Sequence, residues 1–180
     1  DVAAKVTGRS GKNTFGLMYA SDNAPGNYSK DEREGLLGCQ NSRVSDPGRV
    51  CGIERFVDKN ADIGVLRLKR DIGRQHNLGL FATTYHFVDL HNNTAGLDGR
   101  FRLSPKSVAE FQVVGTHSRR NFYDADLDQT QYRTGNGVGY RLYVDRNDRN
   151  LMMNFRASGR SSDYRADVGF TDRVDTNYVG

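Results

Sequence analysis

The residue types best suited to chemistry are charged side chains that alternate with apolar ones along several extended segments. Seven of them form the candidate set: Asp98, Arg100, Arg102, Glu110, Arg141, Asp145 and Arg156. An arginine guanidinium offers a planar fork of donors that suits carboxylates and other oxyanions. Two interpretations stay open. In the first, the charges pair with one another and stiffen the strands that carry them. In the second, they line a water-filled interior, or lumen, that holds polar, anionic or sugar-like solutes. Mixed signs at this spacing favour pairing, because opposite charges neutralise locally.

Four histidines are the other candidates for catalysis: His76, His86, His91 and His117. None follows a metal-ligand spacing such as HExxH. Folding brings distant residues together, so the Ser/His/Asp triad of an outer-membrane hydrolase is an alternative hypothesis. Scattered histidines are more typical of polar positions in strands and loops. We therefore predict no catalytic residues, no enzymatic activity and no cofactor.

The segment YDADLDQ places Asp124, Asp126 and Asp128 at the spacing that opens an EF-hand calcium loop. Gln129 then stands where such a loop needs glycine, and Gly135 stands where it needs a bidentate glutamate. The three aspartates are a weak candidate, and we predict no metal site.

The only cysteines, Cys39 and Cys51, flank a polar stretch with Gly and Pro that is typical of a loop. A disulfide between them is expected in an oxidising compartment. Two free thiols in a cytosolic protein are the alternative.

The elements that must position these residues are β-strands, because apolar side chains recur with period two. The alternation predicts an all-β domain over 1–180, with apolar residues such as Leu97, Phe111, Leu142 and Phe155 on one face. In two segments, 62–70 and 77–88, apolar residues occur at both odd and even positions, so the sequence does not show which side of the strand is the apolar one. Each segment is about as long as the 9 to 11 residues that a tilted strand needs to cross a bilayer. The eight segments are 2–9, 13–20, 62–70, 77–88, 94–105, 107–118, 136–145 and 149–158.

The connections between these segments alternate in predicted length. Tight turns are expected at 10–12, 71–74, 104–106 and 146–148, where Gly, Pro, Asn or Asp supplies turn chemistry. Two long extracellular loops are predicted, 21–61 with the cysteines and 119–135, whereas 89–92 is a short exception. Short turns at one end and long loops at the other are typical of outer-membrane barrels.

Composition helps to distinguish a nucleic-acid-binding protein, a membrane barrel and a soluble β-protein. Of the 26 basic residues 20 are Arg, and 22 acidic residues are interleaved with them, so no basic stripe for nucleic acid forms. A polar set of Arg, Asp, Asn, Thr and Gly favours a wet lumen over an ordinary outer surface. The sequence thus predicts an antiparallel up-and-down transmembrane β-barrel of about eight strands, or a fragment of a larger one. The absence of Trp counts against it, and a soluble β-barrel or sandwich that binds carbohydrate or lipid is the alternative.

Four stretches carry a family resemblance: KVTGRSGKNTFGLMYA, VLRLKRDIGRQHNLGLFAT, GLDGRFRLSP and DYRADVGFTDRVD. They resemble, in the same order, the C-terminal outer-membrane β-barrel of a bacterial family of undefined function. Longer members of that family carry an N-terminal family-9-type carbohydrate-binding module. The pattern does not include the Cys39 to Cys51 loop.

The resemblance implies a location in the outer membrane of a Gram-negative-type envelope, in contact with outer-membrane lipid. It implies no catalytic residues. Family barrels are longer than this chain, so we expect a fragment of a larger barrel, whose partners are its further strands or other envelope proteins. The implied role is a porin-like channel, a receptor or a structural anchor for carbohydrate or other polar solutes.

Overall fold

A single antiparallel sheet dominates the computed structural model, which describes residues 1–124, 127–169 and 173–180. Neighbours in the sheet are neighbours in sequence throughout, so the topology is a meander from β1 to β9. The strands are β1 Val2–Ser10, β2 Asn13–Asp22, β3 Ala61–Ile72, β4 His76–Phe87, β5 Leu90–Ser104, β6 Ser107–Asp124, β7 Gln129–Asp148, β8 Leu151–Arg160 and β9 Thr176–Val179.

The all-β, antiparallel prediction is confirmed, and each of the eight predicted segments lies in one of the strands β1 to β8, with at most two residues of a segment outside its strand. The ninth strand, Thr176–Val179, was not predicted. It pairs with the end of β8 from Ala157 to Arg160. The described sheet is open, with β1 and β9 at the two ends of its order.

The connections correct one part of the prediction. Residues 119–135, expected as a long loop, are mostly strand, because β6 runs to Asp124 and β7 begins at Gln129. The β6–β7 hairpin continues past the part of its strands in which apolar and polar residues alternate. Its backbone pairing continues there, but the sequence no longer shows the pattern that predicts a strand. The β4–β5 connection is likewise only the two-residue turn 88–89, in which Val88 has a φ of 56°.

The connection between β2 and β3 is the long one that was expected, and it contains the helix α1, Lys30–Asn41. Ser29 and Glu32 form a capping box at its N-terminus, and the Ser29 hydrogen bonds lower the pKa of the Glu32 carboxyl. Two short 3₁₀ helices, Ala24–Gly26 and Ser42–Val44, flank α1. None of the described helices has the length and apolar character needed to cross a membrane.

The predicted disulfide between Cys39 and Cys51 is confirmed, with a Cα–Cα distance of 5.9 Å. It joins the last turns of α1 to the irregular chain that leads to β3. Arg43 and Gln40 also donate to the Glu54 carboxylate across this loop, which lowers its pKa. Covalent and polar contacts therefore hold the connection together, and the Phe56 ring stacks on the buried Phe87 of β4 with its centroid 5.7 Å away.

Cross-strand register sorts the sheet residues into two faces, since directly opposite residues of paired strands point to the same side. One face, called here the apolar face, includes Leu17, Leu66, Leu80, Leu97, Val113, Val138, Leu142 and Phe155. The other, called the polar face, includes Lys5, Thr14, Arg67, Asn77, Asn92, Asp98, Glu110, Thr116, Arg141 and Ser158. The register also settles the facing of 62–70 and 77–88.

Burial is the reverse of what a water-soluble sheet shows. On the apolar face, Leu97 is 54 % exposed and Val138 is 56 % exposed. On the polar face, Asn92 and Ser118 are fully buried and Thr116 is nearly so. Val114 and Phe122, which are also buried, lie on the polar face too, so the buried side chains of the sheet lie on that face and the apolar face stays open.

Reduction of the disulfide should loosen the β2–β3 connection without unfolding the sheet. Closing a loop of this length contributes about 3 kcal/mol by chain entropy, and no ladder of the sheet uses the connection. We expect trypsin to cleave faster at the basic residues between 23 and 60 after reduction, while the β-sheet circular dichroism stays constant. A C39S/C51S variant, which should be insensitive to the reductant, is the control. Loss of strand signal on reduction would contradict this account.

Candidate functional site

All seven charged residues predicted to line a lumen lie on the polar face. Asp98, Gln112, Arg141 and Ser158 form one row of directly opposite residues across β5 to β8. Arg100, Glu110, Tyr143 and Arg156 form the adjacent row. Arg102 and Asp145 lie in the row beyond, on either side of Val108.

Part of this set is neutralised by ion pairs. Arg67 makes a bidentate contact with Asp98, in which the second nitrogen lies 2.8 Å from Oδ1. Arg100 lies 3.4 Å from Glu110. The sequence alone did not assign Arg67 to this face, because the segment 62–70 has apolar residues at both odd and even positions. Pairing therefore accounts for the half of the polar face that β3 to β6 supply.

The other predicted residues have no carboxylate partner among the described residues. Arg102 donates instead to the carbonyl oxygens of Ser104 and Pro105, at 3.2 and 2.6 Å. The guanidinium of Arg156 lies 5.6 Å from the ring centroid of Tyr143. Asp145 accepts from the Tyr143 hydroxyl at 3.4 Å. For the guanidinium of Arg141, no hydrogen bond or ion pair exists within the described part of the chain.

The sequence did not predict the segment 161–169, called here the docked segment, which folds back over the polar face. Its Tyr164 lies against β7 where the chain carries alternate glycines. A Cβ atom added at Gly137 would lie 2.3 Å from Tyr164 Cα, and one added at Gly139 would lie 2.8 Å from its ring. The run GNGVG is the one signal for this contact, since period-two glycines open a channel along one face of a strand.

Asn92 of β5 holds the backbone of the docked segment. Its Nδ2 donates to the Arg165 carbonyl at 2.9 Å, and its Oδ1 accepts from the Asp167 amide at 3.1 Å. The same Nδ2 donates to Ser118 Oγ at 2.7 Å. Thr116 Oγ1 accepts from the Arg165 amide at 3.3 Å. The buried polar row is therefore satisfied by the segment that covers it.

Two ion pairs anchor the docked segment to the β6–β7 hairpin. Arg133 contacts both oxygens of Asp163, at 2.7 and 2.8 Å, and Arg120 lies 2.5 Å from Asp167. The Arg133 hydrogen bonds lower the pKa of the Asp163 carboxyl. Burial, together with the charge of Arg120, lowers the pKa of the Arg165 guanidinium, which lies 5.2 Å from the ring centroid of Phe122.

Two cavities on the polar face differ in charge. One, of about 470 Å³, is lined by the paired residues Arg67, Asp98, Arg100 and Glu110 and also by Arg141. The other, of about 430 Å³, lies beside Tyr164 and is lined by three arginines, Arg141, Arg156 and Arg160. No acidic residue lines this second cavity within the described chain. The polar face thus has a part in which most charges are paired and a cationic part, and Arg141 borders both.

The histidines do not form a catalytic arrangement with their described partners. His86, His91 and His117 lie at one edge of the apolar face, and the His91 and His117 rings stack at 5.7 Å. His117 Nδ1 lies 2.8 Å from Asn136 Oδ1. His76 Nδ1 accepts from the Arg102 amide. No described histidine links a carboxylate to a serine, and so no contact favours the hydrolase hypothesis.

The weak calcium candidate lies partly outside the described residues, because Asp126 and the side chain of Asp124 are not described. Asp128 accepts a hydrogen bond from the Tyr123 hydroxyl at 2.6 Å. Within 1–124, 127–169 and 173–180, no group of three or more His, Cys, Asp or Glu side chains is arranged to hold a metal ion.

No protein-family model, curated protein or solved structure matches the chain. The resemblance to an outer-membrane barrel family therefore stays a prediction.

Docking of the segment 161–169 should depend on the absence of a side chain at Gly137. A Gly137→Ala methyl would meet the Tyr164 backbone, and overpacking of this kind costs about 1–3 kcal/mol. We expect amide exchange in 161–169 to accelerate by roughly tenfold or more. Gly115→Ala is the matched control, because the nearest atom to its new methyl is 4.0 Å away. Equal exchange in the two variants would rule out this contact.

Anchoring by Asp163 should depend on pH in a defined direction. The folded pKa of Asp163 is lowered, so its contribution to stability is complete above the ordinary value of 3.8 and is lost as the pH falls through the lowered pKa. We expect Asp163→Asn to lower the denaturant midpoint at pH 7, and the difference from the wild type to shrink as the pH falls below 3.8. Asp46→Asn, at an exposed position in the β2–β3 connection, should leave the midpoint unchanged at each pH. A difference that stays the same throughout the acid titration would contradict an ionic role.

Proposed function

We propose that the chain forms the wall, or part of the wall, of a bacterial outer-membrane β-barrel. This barrel acts as a channel, a receptor or a structural anchor for polar solutes. The apolar face would contact lipid and the polar face would line the lumen. One observation carries this proposal: large apolar side chains are exposed across one face of the sheet, while the buried side chains of the sheet, both polar (Asn92, Ser118) and apolar (Val114, Phe122), lie on the other face.

The extent of the apolar face supports contact with lipid. On β5 it runs from Ala95 to Leu103, which is about 27 Å at 3.4 Å per residue. The apolar band of an outer-membrane barrel is about 25 Å tall. Beyond Ala95 the same face turns polar on β5, at Asn93 and His91. A polar margin is what the headgroup region of a bilayer requires.

A water-soluble sheet would need a partner layer for this face. Monomeric soluble proteins rarely expose contiguous apolar patches larger than a few hundred Å². The α1 helix does not supply the layer, since none of its residues is buried. No second sheet covers the apolar face within the described residues. Acyl chains satisfy such a surface without a protein partner, which favours the barrel over the soluble sandwich.

The backbone supports the same proposal. In lipid every backbone amide and carbonyl needs a partner within the protein, so a sheet can cross a bilayer only when closed. The ladders from β1 to β9 pair these groups along the interior strands. We propose that the two open edges are closed in the membrane, by each other or by further strands of a larger barrel.

The polar face fits a lumen narrowed by the docked segment. Tyr164 and Arg165 lie over β6 and β7 on this side of the sheet. Arg67–Asp98 and Arg100–Glu110 stiffen the wall nearby without adding net charge. Solutes that pass or bind here would meet arginine, tyrosine and amide groups, which suit polar molecules such as carbohydrates.

A charge should be tolerated on one face and not on the other. Val113 and Gln112 are adjacent on β6 and point to opposite faces. We expect Val113→Lys to weaken folding into lipid vesicles, because a lysine facing lipid near the bilayer midplane costs about 2–4 kcal/mol. Gln112→Lys adds the same charge on the water-facing side, between Asp98 and Arg141, and should fold nearly as well as the wild type. Heat-modifiable mobility on gels measures the folded fraction.

Two outcomes would contradict the membrane proposal. One is equal folding of the two lysine variants in vesicles. The other is a wild-type protein that stays folded, monomeric and soluble without detergent, since its apolar face would then need no lipid.

A further inference from the structure

We propose that Arg141, Arg156 and Arg160, called here the arginine triad, bind the anionic group of a small solute on the polar face. The ligand class is a carboxylate, sulfate or phosphate carried by a molecule of about the size of a sugar acid. This names a ligand class for the proposed function and rests on it only in taking the polar face to be in contact with water.

Register brings the three arginines together. Arg141 of β7 lies directly opposite Ser158 of β8. Arg156 and Arg160 lie two residues to either side of Ser158, on the same face. Diagonal neighbours of this kind are about 7–8 Å apart, well within the reach of arginine side chains. All three line the cavity of about 430 Å³.

Two of the guanidinium groups are oriented by aromatic rings and not by acids. Arg160 lies 5.9 Å from the ring centroid of Tyr164 and donates to the Arg173 carbonyl at 3.0 Å. Arg156 lies over Tyr143 in the same manner. Stacking on a ring face holds the guanidinium plane while its edge N–H groups remain available to a ligand. The Arg141 guanidinium makes no hydrogen bond within the described part of the chain, so all of its N–H groups remain available to a ligand.

The acidic residues nearest to the triad on this face form no ion pair with it among the described residues. Asp145 is a diagonal neighbour of Arg156, but it accepts a hydrogen bond from the Tyr143 hydroxyl. Asp98 lies in the row of Arg141, but it is held by Arg67. Glu110 lies in the row of Arg156, but Arg100 is its partner. Three like charges at neighbouring sheet positions repel one another. An anion among them removes that repulsion and gains charge-assisted hydrogen bonds.

The lining argues for a small solute and not for a macromolecule. Tyr164 of the docked segment and Thr176 of β9 also line the cavity. Ser158, directly opposite Arg141, adds a hydroxyl to the lining. A ring with hydroxyl groups and one acidic group would find an aromatic wall, a hydroxyl partner and a guanidinium cluster in one place.

The test is calorimetric titration of the folded protein in neutral detergent at low ionic strength, with sodium sulfate as the probe. We expect saturable binding that falls about tenfold or more in Arg141→Gln, whose side chain has no other described contact to lose. Arg156→Gln and Arg160→Gln should weaken binding as well. Glucuronate and glucose, titrated in parallel, distinguish a sugar acid from a neutral sugar, which should not bind.

Arg9→Gln is the matched control, because Arg9 lies on the same face but pairs with Asp71. An equal loss in Arg9→Gln and Arg141→Gln would show a diffuse field and overturn the site. Absence of sulfate binding in the wild type would overturn it too. Neither result depends on the lysine variants in vesicles, so failure of the site and failure of the membrane proposal are distinguishable.

Discussion

A β-strand sends successive side chains to opposite sides of its sheet, and eight consecutive antiparallel pairings here keep that alternation in register. Because Asp98, Gln112 and Arg141 are directly opposite one another, a slip of one residue on β7 would turn Arg141 toward the apolar face. The separation of charges from apolar side chains is therefore a property of register. The proposed lumen, lipid contact and anion site all depend on it.

Burial of polar groups on one face requires that each finds a partner, and the docked segment supplies those partners. Asn92 uses its amide on two backbone groups of the segment as well as on Ser118. An unsatisfied buried amide would cost about 1–3 kcal/mol, so the segment and the buried row stabilise each other. Tyr164 can approach β7 only because Gly137 carries no side chain. The wall and its covering segment thus form one cooperative unit.

The sequence was sufficient for the strands whose two faces differ and insufficient where the faces are alike. Along β5, apolar residues such as Leu97 alternate with charged residues such as Asp98 and Arg100, which gives a clear period of two. The β6–β7 hairpin near Arg120 and Arg133 carries polar residues on both faces, and its sequence resembles a loop. The docked segment escaped prediction for another reason. Its decisive contact joins Asn92 to Arg165, 73 residues away, and no local pattern encodes a contact of that range. The pairing of Arg67 with Asp98 was hidden in the same way.

The two interpretations of the charged face describe different parts of it. Where β3 to β6 meet, arginines and acids alternate across neighbouring strands, and each charge has a partner that reduces its attraction for solutes. Toward β7 and β8 the arginines continue through Arg141, Arg156 and Arg160, and Asp145 of β7 forms no ion pair with them among the described residues. Guanidinium groups without an acidic partner add little to the stability of a sheet, since like charges repel. The proposed anionic ligand would supply the partner that these three arginines lack.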